Sequence, residues 1–255
     1  MILENAFVVL TLDARAASII GLYDKASQTE FTTPPSLEKE QAGVAALFAD
    51  QPFALTSEAS DADGRSVSLA ALSHDGSLKL TKCFAVKSGA RGAELTLTLD
   101  NLGALERDIL WGERFDFSAA AFGPAMQILA PAVSYFDPKE QPVLRMRWPH
   151  LAAGTDLSLP RTLPEGARET YFLSDFADGK CGLACPEKHV ALELEWDAQQ
   201  FSYCWLELTA QSVAISPFTG MPDAINEGHG TLTLAGNGSV SARFTLEIAP
   251  LAARL

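Results

Sequence analysis

The chain reads as an all-β protein, a large antiparallel β-sandwich with at most one or two short helices. Three observations predict this class. Apolar residues recur at every second position over short runs, which in an extended chain turns one face to a core and the other to water. The clearest runs are Phe7 to Leu12, Ser66 to Leu72, Ser77 to Val86, Ala93 to Leu99, His189 to Trp196, Phe201 to Leu208, Gly230 to Leu234 and Val240 to Ile248. Turn formers separate them: His74-Asp75-Gly76, Ser88-Gly89-Ala90, Ala177-Asp178-Gly179 and Gly236-Asn237-Gly238 supply residues that tolerate positive φ, and the last is a hairpin signal. Hairpins in place of helical crossovers predict antiparallel sheets packed face to face.

One helix is expected near the N-terminus. Pro34-Pro35 stops the preceding strand, and Ser36 can cap a segment running to about Phe48, which reads as a surface decoration. From Pro138 to Arg168 the residues Pro142, Pro149, Pro160 and Pro164 exclude central strands and predict long loops over one face, where a binding site sits. No repeat, low-complexity tract or Ser/Gly/Pro linker divides the chain, so residues 1–255 are expected to form a single domain. All-β sandwiches of this length are common.

Composition narrows the function. With 47% apolar and 20% charged residues a sizeable core can be buried. A formal charge of −13 argues against nucleic acid or an anionic membrane surface, both of which are held through basic patches. The opening Met1-Ile2-Leu3-Glu4-Asn5 carries no leader pattern, and no apolar run approaches the roughly 20 residues that cross a bilayer. A cytoplasmic location is therefore expected. Cys83, Cys181, Cys185 and Cys204 are too few for a disulfide framework and read as reduced, buried thiols. Cys181 and Cys185 do not have the spacing of a zinc knuckle, with His189 a lone companion.

No GxSxG elbow, P-loop, HExxH or dinucleotide GxGxxG occurs. Two segments carry chemistry instead. Trp111-Gly112-Glu113-Arg114-Phe115-Asp116-Phe117 gathers aromatic, acidic and guanidinium side chains just after a strand. Aromatic faces stack on the CH surface of sugar rings, and charged groups make directional bonds to hydroxyls. The same residues also read as an ordinary strand whose alternate members divide between core and solvent. The second segment runs from Val213 to Asn226, where a strand ends at Ser216 and a proline-bounded loop presents Thr219 and Asp223. It reads equally as a ligand-positioning loop and as a structural crossover. Trp148 and His150 in the proline-rich region are candidates for another wall of the cleft.

In their order these segments resemble the galactose mutarotase (aldose 1-epimerase) superfamily. Val8 to Tyr23, around Asp13-Ala14-Arg15, is similar to its first strands. Asn101-Leu102-Gly103 resembles its N-x-G, Trp111 to Phe117 its W-G-x-H-P-x-F signature, and Ile215 to Ala224 its E-P-x-T-x-x-P-D/N-A loop. Leu234-Ala235-Gly236 is similar to its L-x-P/A-G before a final strand. The resemblance implies a β-supersandwich that binds a hexose in an open cleft. A glutamate there takes the anomeric proton while a histidine protonates the ring oxygen, so that the ring opens and closes as the other anomer.

The match departs at both of those positions: Arg114 stands where the family has its histidine, and Ser216 where it has its glutamate. Arginine stays protonated and cannot shuttle a proton, and serine is no base unaided. Glu113 and Asp116, and beyond Ser216 the residues Asp223, Glu227 and His229, are the substitutes at hand. One reading is thus an anomer isomerase with relocated acid and base, using Arg114, Glu113 and Asp116 and taking a sugar, uronate or sugar phosphate. The sugar would be bound by Trp111, Arg114, Trp148, His150, Ser216, Thr219 and Asp223. The other is a sugar-binding or sensing protein without chemistry, and a bare interaction scaffold ranks last. Neither leading reading calls for a metal or organic cofactor. The expected partner is a small carbohydrate, with a homodimer left open.

Overall fold

The computed structural model describes residues 1–33, 43–130, 134–136, 145–147, 165–221 and 230–251. Two large antiparallel sheets dominate. The eight-stranded sheet runs in the order Gln127–Leu129, Lys180–Cys185, Val190–Glu195, Ser239–Pro250, Gly92–Asn101, Leu78–Lys87, Gly64–Leu72, Ala54–Asp61. The six-stranded sheet runs Phe115–Ser118, Ser212–Phe218, Tyr203–Thr209, Arg168–Ser174, Ser134–Phe136, Arg145–Arg147. A four-stranded sheet holds Ile2–Glu4, Val8–Asp13, Ser18–Asp24 and Thr29–Glu30, and Arg107–Ile109 pairs with Leu232–Leu234. The all-β expectation holds, and all eight runs named from alternation lie on strands.

Alternation explains the central strands. Along Leu78–Lys87 the side chains of Leu78, Leu80, Phe84 and Val86 are buried, while Lys79, Thr81, Cys83 and Ala85 are partly exposed. Leu95, Leu97 and Leu99 repeat this on the neighbouring strand. From the six-stranded sheet Phe115, Phe117, Leu173, Cys204, Leu206, Leu208, Val213 and Ile215 enter the same apolar cluster. Ring contacts stitch the layers: Phe201 lies 5.2 Å from Phe244 and 5.5 Å from Trp111, and Phe115 lies 5.5 Å from Phe244. Each such ring contributes on the order of 2 kcal/mol by leaving water.

The helix expectation needs correction. Residues 34–42 lie outside the described residues, and the described helix is the single turn Val44–Leu47. It is no surface decoration, because Val44 and Phe48 are buried in the core and the Val44 amide donates to the Leu110 carbonyl at 2.8 Å. Within the proline-rich stretch, most of which lies outside the described residues, Arg145–Arg147 forms a short strand on Ser134–Phe136. It falls between Pro142 and Pro149, where three residues free of proline can donate to a ladder.

Strands also occur where alternation is silent. Ala54–Asp61 is exposed along its whole length, terminates its sheet and carries a bulge between Leu55 and Ser57. Within Lys180–Cys185 the residues from Cys181 to Cys185 are buried on both faces. Cys181, Cys185 and Cys204 are buried free thiols and Cys83 is partly buried. Among the described residues no cluster of three or more metal-ligating side chains occurs, and no helix is long and apolar enough to cross a membrane.

Candidate functional site

The six-stranded sheet has a second buried face, and alternation decides which residues reach it. Leu206 and Leu208 point into the core, so Trp205 and Glu207 point away from it. Register carries this across the strands: Phe172 lies beside Trp205, which lies beside Ser216, while Glu207 lies beside Ala214, which lies beside Asp116. One rung further, Ser174 pairs with Tyr203, which pairs with Phe218. Residues from four strands therefore converge on the outer face.

The apolar part of this face is an aromatic group separate from the main core. The Trp205 indole stacks on Phe218 at 4.1 Å and 12°, and Phe172 meets it edge-on at 5.4 Å and 85°. Leu110 packs against this pair. The indole Nε1 donates to the Gly220 carbonyl at 3.2 Å, which fixes the ring plane. Gly112 lies opposite Phe218, and a Cβ there would fall 2.4 Å from the Pro217 carbonyl oxygen, so only glycine lets the two segments approach.

Among the described residues the polar part is a charge network of Arg114, Asp116, Glu207 and Arg168. Arg114 donates from Nε to the Asp116 carboxylate at 3.1 and 3.2 Å and from Nη2 to Glu207 Oε1 at 2.7 Å. Arg168 donates to Glu207 Oε2. Burial works against the charge of Arg114, but the Glu207 and Asp116 carboxylates outweigh it and raise its pKa. For Glu207 burial pushes upward, and the guanidinium groups of Arg114 and Arg168 prevail and hold it below the usual carboxylate range. The network is closed at the sheet and more open outward, with side-chain exposure of 5% and 9% at Asp116 and Glu207 against 27% and 57% at Arg114 and Arg168.

The residues expected from sequence divide accordingly. Arg114, Asp116 and Ser216 come together on this face, Ser216 only 3% exposed. Glu113 does not join them: as the neighbour of Arg114 it points the other way, to Lys82 Nζ at 2.7 Å. Lys82 stands in the buried stripe between Leu80 and Phe84, so this ion pair ties the eight-stranded sheet to the Arg114 segment. Trp111 is 1% exposed and packed on Phe201, on the core side of the sheet. Thr219 is a clamp: its Oγ1 accepts from the Trp111 amide at 3.1 Å, and its own amide donates back to the Trp111 carbonyl at 2.8 Å. Trp148, His150, Asp223, Glu227 and His229 lie outside the described residues.

Trp205, Glu207, Phe172 and Arg168 were not singled out by the motifs. The signal for the first two lies in Cys204-Trp205-Leu206-Glu207-Leu208, where an indole and an acid occupy the face opposite an apolar one. Asp116 and Glu207 are groups that accept protons or hydroxyl hydrogens, and Arg114 and Arg168 only donate.

A β-sandwich with an aromatic and charge-lined sheet face has counterparts among solved structures. The chain is similar to a galactose mutarotase related enzyme from Lactobacillus acidophilus, with 11% identity and a TM-score of 0.77 over 98% of this chain and 97% of that one. A galactose mutarotase-like protein from Lactobacillus casei matches at 17% identity and a TM-score of 0.72 over 98% and 99%. A galactose mutarotase-like protein from Clostridium acetobutylicum matches at 11% and 0.73 over 97% and 94%. No protein-family model matches the chain, and no curated protein matches it. The chain thus shares its fold, at low sequence identity and over nearly its whole length, with galactose mutarotase-like proteins.

Proposed function

We propose that the chain is a carbohydrate-binding protein whose ligand, a neutral sugar, lies on the outer face of the six-stranded sheet. The observation that carries this reading is the placement of half-buried Trp205 within one rung of Ser216, Asp116 and Glu207. A sugar ring has CH faces that pack on an indole and hydroxyls that take directional bonds from charged groups. The likeness of fold to galactose mutarotase-like proteins supports the same class of ligand. Among the described residues of this face Arg114 and Arg168 are matched by Asp116 and Glu207, two positive charges against two negative. That balance favours a neutral sugar over a uronate or sugar phosphate, because neither guanidinium is left uncompensated.

A second reading, anomer isomerisation, is favoured by the presence of two carboxylates on the same face as Ser216. Asp116 would take the anomeric proton, and Arg114 would stabilise charge on the ring oxygen without giving up its own proton. The lowered pKa of Glu207 weakens its hold on a proton. With Arg114 fixed as a permanent cation that cannot shuttle a proton, binding without chemistry is the leading reading.

Thermal-shift titration with D-glucose, D-galactose, D-glucuronate and glucose 6-phosphate tests both the ligand class and the charge argument. A neutral hexose at 100 times its Kd stabilises the folded state by about 2.7 kcal/mol. Loss of any shift across the panel overturns the proposal, and a preference for the two anions overturns its charge balance. In saturation-transfer NMR, anomer exchange above the spontaneous rate that Asp116→Asn abolishes establishes the second reading.

A further inference from the structure

One polar group on this face has no partner. Among the described residues, the buried side-chain oxygens without a hydrogen bond are Ser18 Oγ, in the four-stranded sheet, and Ser174 Oγ. Ser174 is 5% exposed. Its neighbour Leu173 lies in the main core, so Ser174 shares the outer face with Phe172, two residues before it. Across the ladder it stands beside Tyr203, one rung from Trp205. Asn101 shows the ordinary treatment of a buried polar side chain in this protein, with donor bonds to Leu105 and Ala235 and an accepted bond from Gly103. Ser174 departs from that rule where the aromatic platform lies.

A buried hydroxyl without a partner is costly, and such groups are rare in folded proteins. An alanine at this position would keep the strand and remove the penalty. We infer that Ser174 is a ligand-binding residue whose hydroxyl completes its hydrogen bonding with a hydroxyl of the sugar seated on Trp205 and Phe172. It sets specificity: a sugar lacking a hydroxyl at that point of the ring leaves the Ser174 oxygen unsatisfied in the complex as well. The inference rests on the reading of this face as a sugar site, and it adds a contact on the side of Trp205 away from the charge network.

Two readouts on Ser174→Ala test it, with Trp205→Ala and Ser174→Thr alongside. Whichever of D-glucose or D-galactose binds the wild-type protein more tightly in calorimetry is the probe. Ser174→Ala is expected to leave the Tm of the ligand-free protein unchanged or higher, because an unsatisfied hydroxyl is gone, and to weaken the Kd about 5-fold, the worth of one neutral hydrogen bond. Ser174→Thr restores the hydroxyl and brings the Kd back toward wild type. If Trp205→Ala weakens binding but Ser174→Ala does not, the inference fails and the site reading stands. If neither hexose binds the wild-type protein, both fail together. A lower Tm for ligand-free Ser174→Ala also overturns it, since the hydroxyl then has a structural partner.

Discussion

The two large sheets share one core yet differ on their other sides. In the centre of the eight-stranded sheet the outward positions carry Ser66, Ser68, Thr81, Ala85, Thr96 and Thr98, small or polar and partly exposed. The outward positions of the six-stranded sheet include Asp116, Phe172, Ser174, Glu207 and Ser216, which are buried beside partly exposed Trp205 and Tyr203. The first pattern is what solvation requires of an antiparallel sheet with one wet face. The second inverts it, and burial of carboxylates and aromatics on a face turned from the core needs either compensation or a ligand. The Arg114 network supplies the compensation for the charges.

Substitutions sharpen that contrast. The largest effect belongs to the shared core: Phe84→Ala is expected to cost about 4 kcal/mol in urea unfolding, from lost burial and a residual cavity. Arg114→Ala comes next at about 3 kcal/mol, because it removes the guanidinium that bridges the buried Asp116 and Glu207 carboxylates. An equal loss for Thr96→Ala would erase the distinction between the two outer faces.

The third test is pH. A carboxylate with a lowered folded-state pKa contributes stability that is complete above its unfolded value and is lost as pH falls through the folded one. Glu207 is such a group, so unfolding free energy should decline as pH drops below about 4.5, its ordinary value, and Glu207→Gln should flatten that decline. A Glu207→Gln profile parallel to wild type would show the pairing to be energetically idle. The smallest effect is on the wet face, where Thr96→Ala should stay within about 0.5 kcal/mol of wild type by the same denaturation.

The same inversion explains what could be read from sequence. Leu78 to Val86 and Ala93 to Leu99 announce themselves because one face is dry and the other wet. Lys180–Cys185 does not, since both its faces are buried, and Ala54–Asp61 does not, since both are wet. Arg114, Asp116 and Ser216 were legible from their place in familiar segments. Trp205, Glu207 and Ser174 were not, because they sit in regular strands and reach the site only through register with strands distant in sequence. Glu113 was grouped with Arg114 for its adjacency, whereas in an extended chain adjacent side chains diverge.

The exposed strand Ala54–Asp61 bears on how the protein behaves in a crowded solution. Among the described residues it is the terminal strand of the eight-stranded sheet, the kind of edge on which a second chain can add a strand and begin a fibre. Glu58 stands opposite Val67, on the side that a stacked copy would have to dehydrate, and the bulge after Leu55 bends the edge out of a straight register. A carboxylate and a kink thus act as a stop codon for sheet growth, keeping a long β-rich molecule from recruiting its own kind.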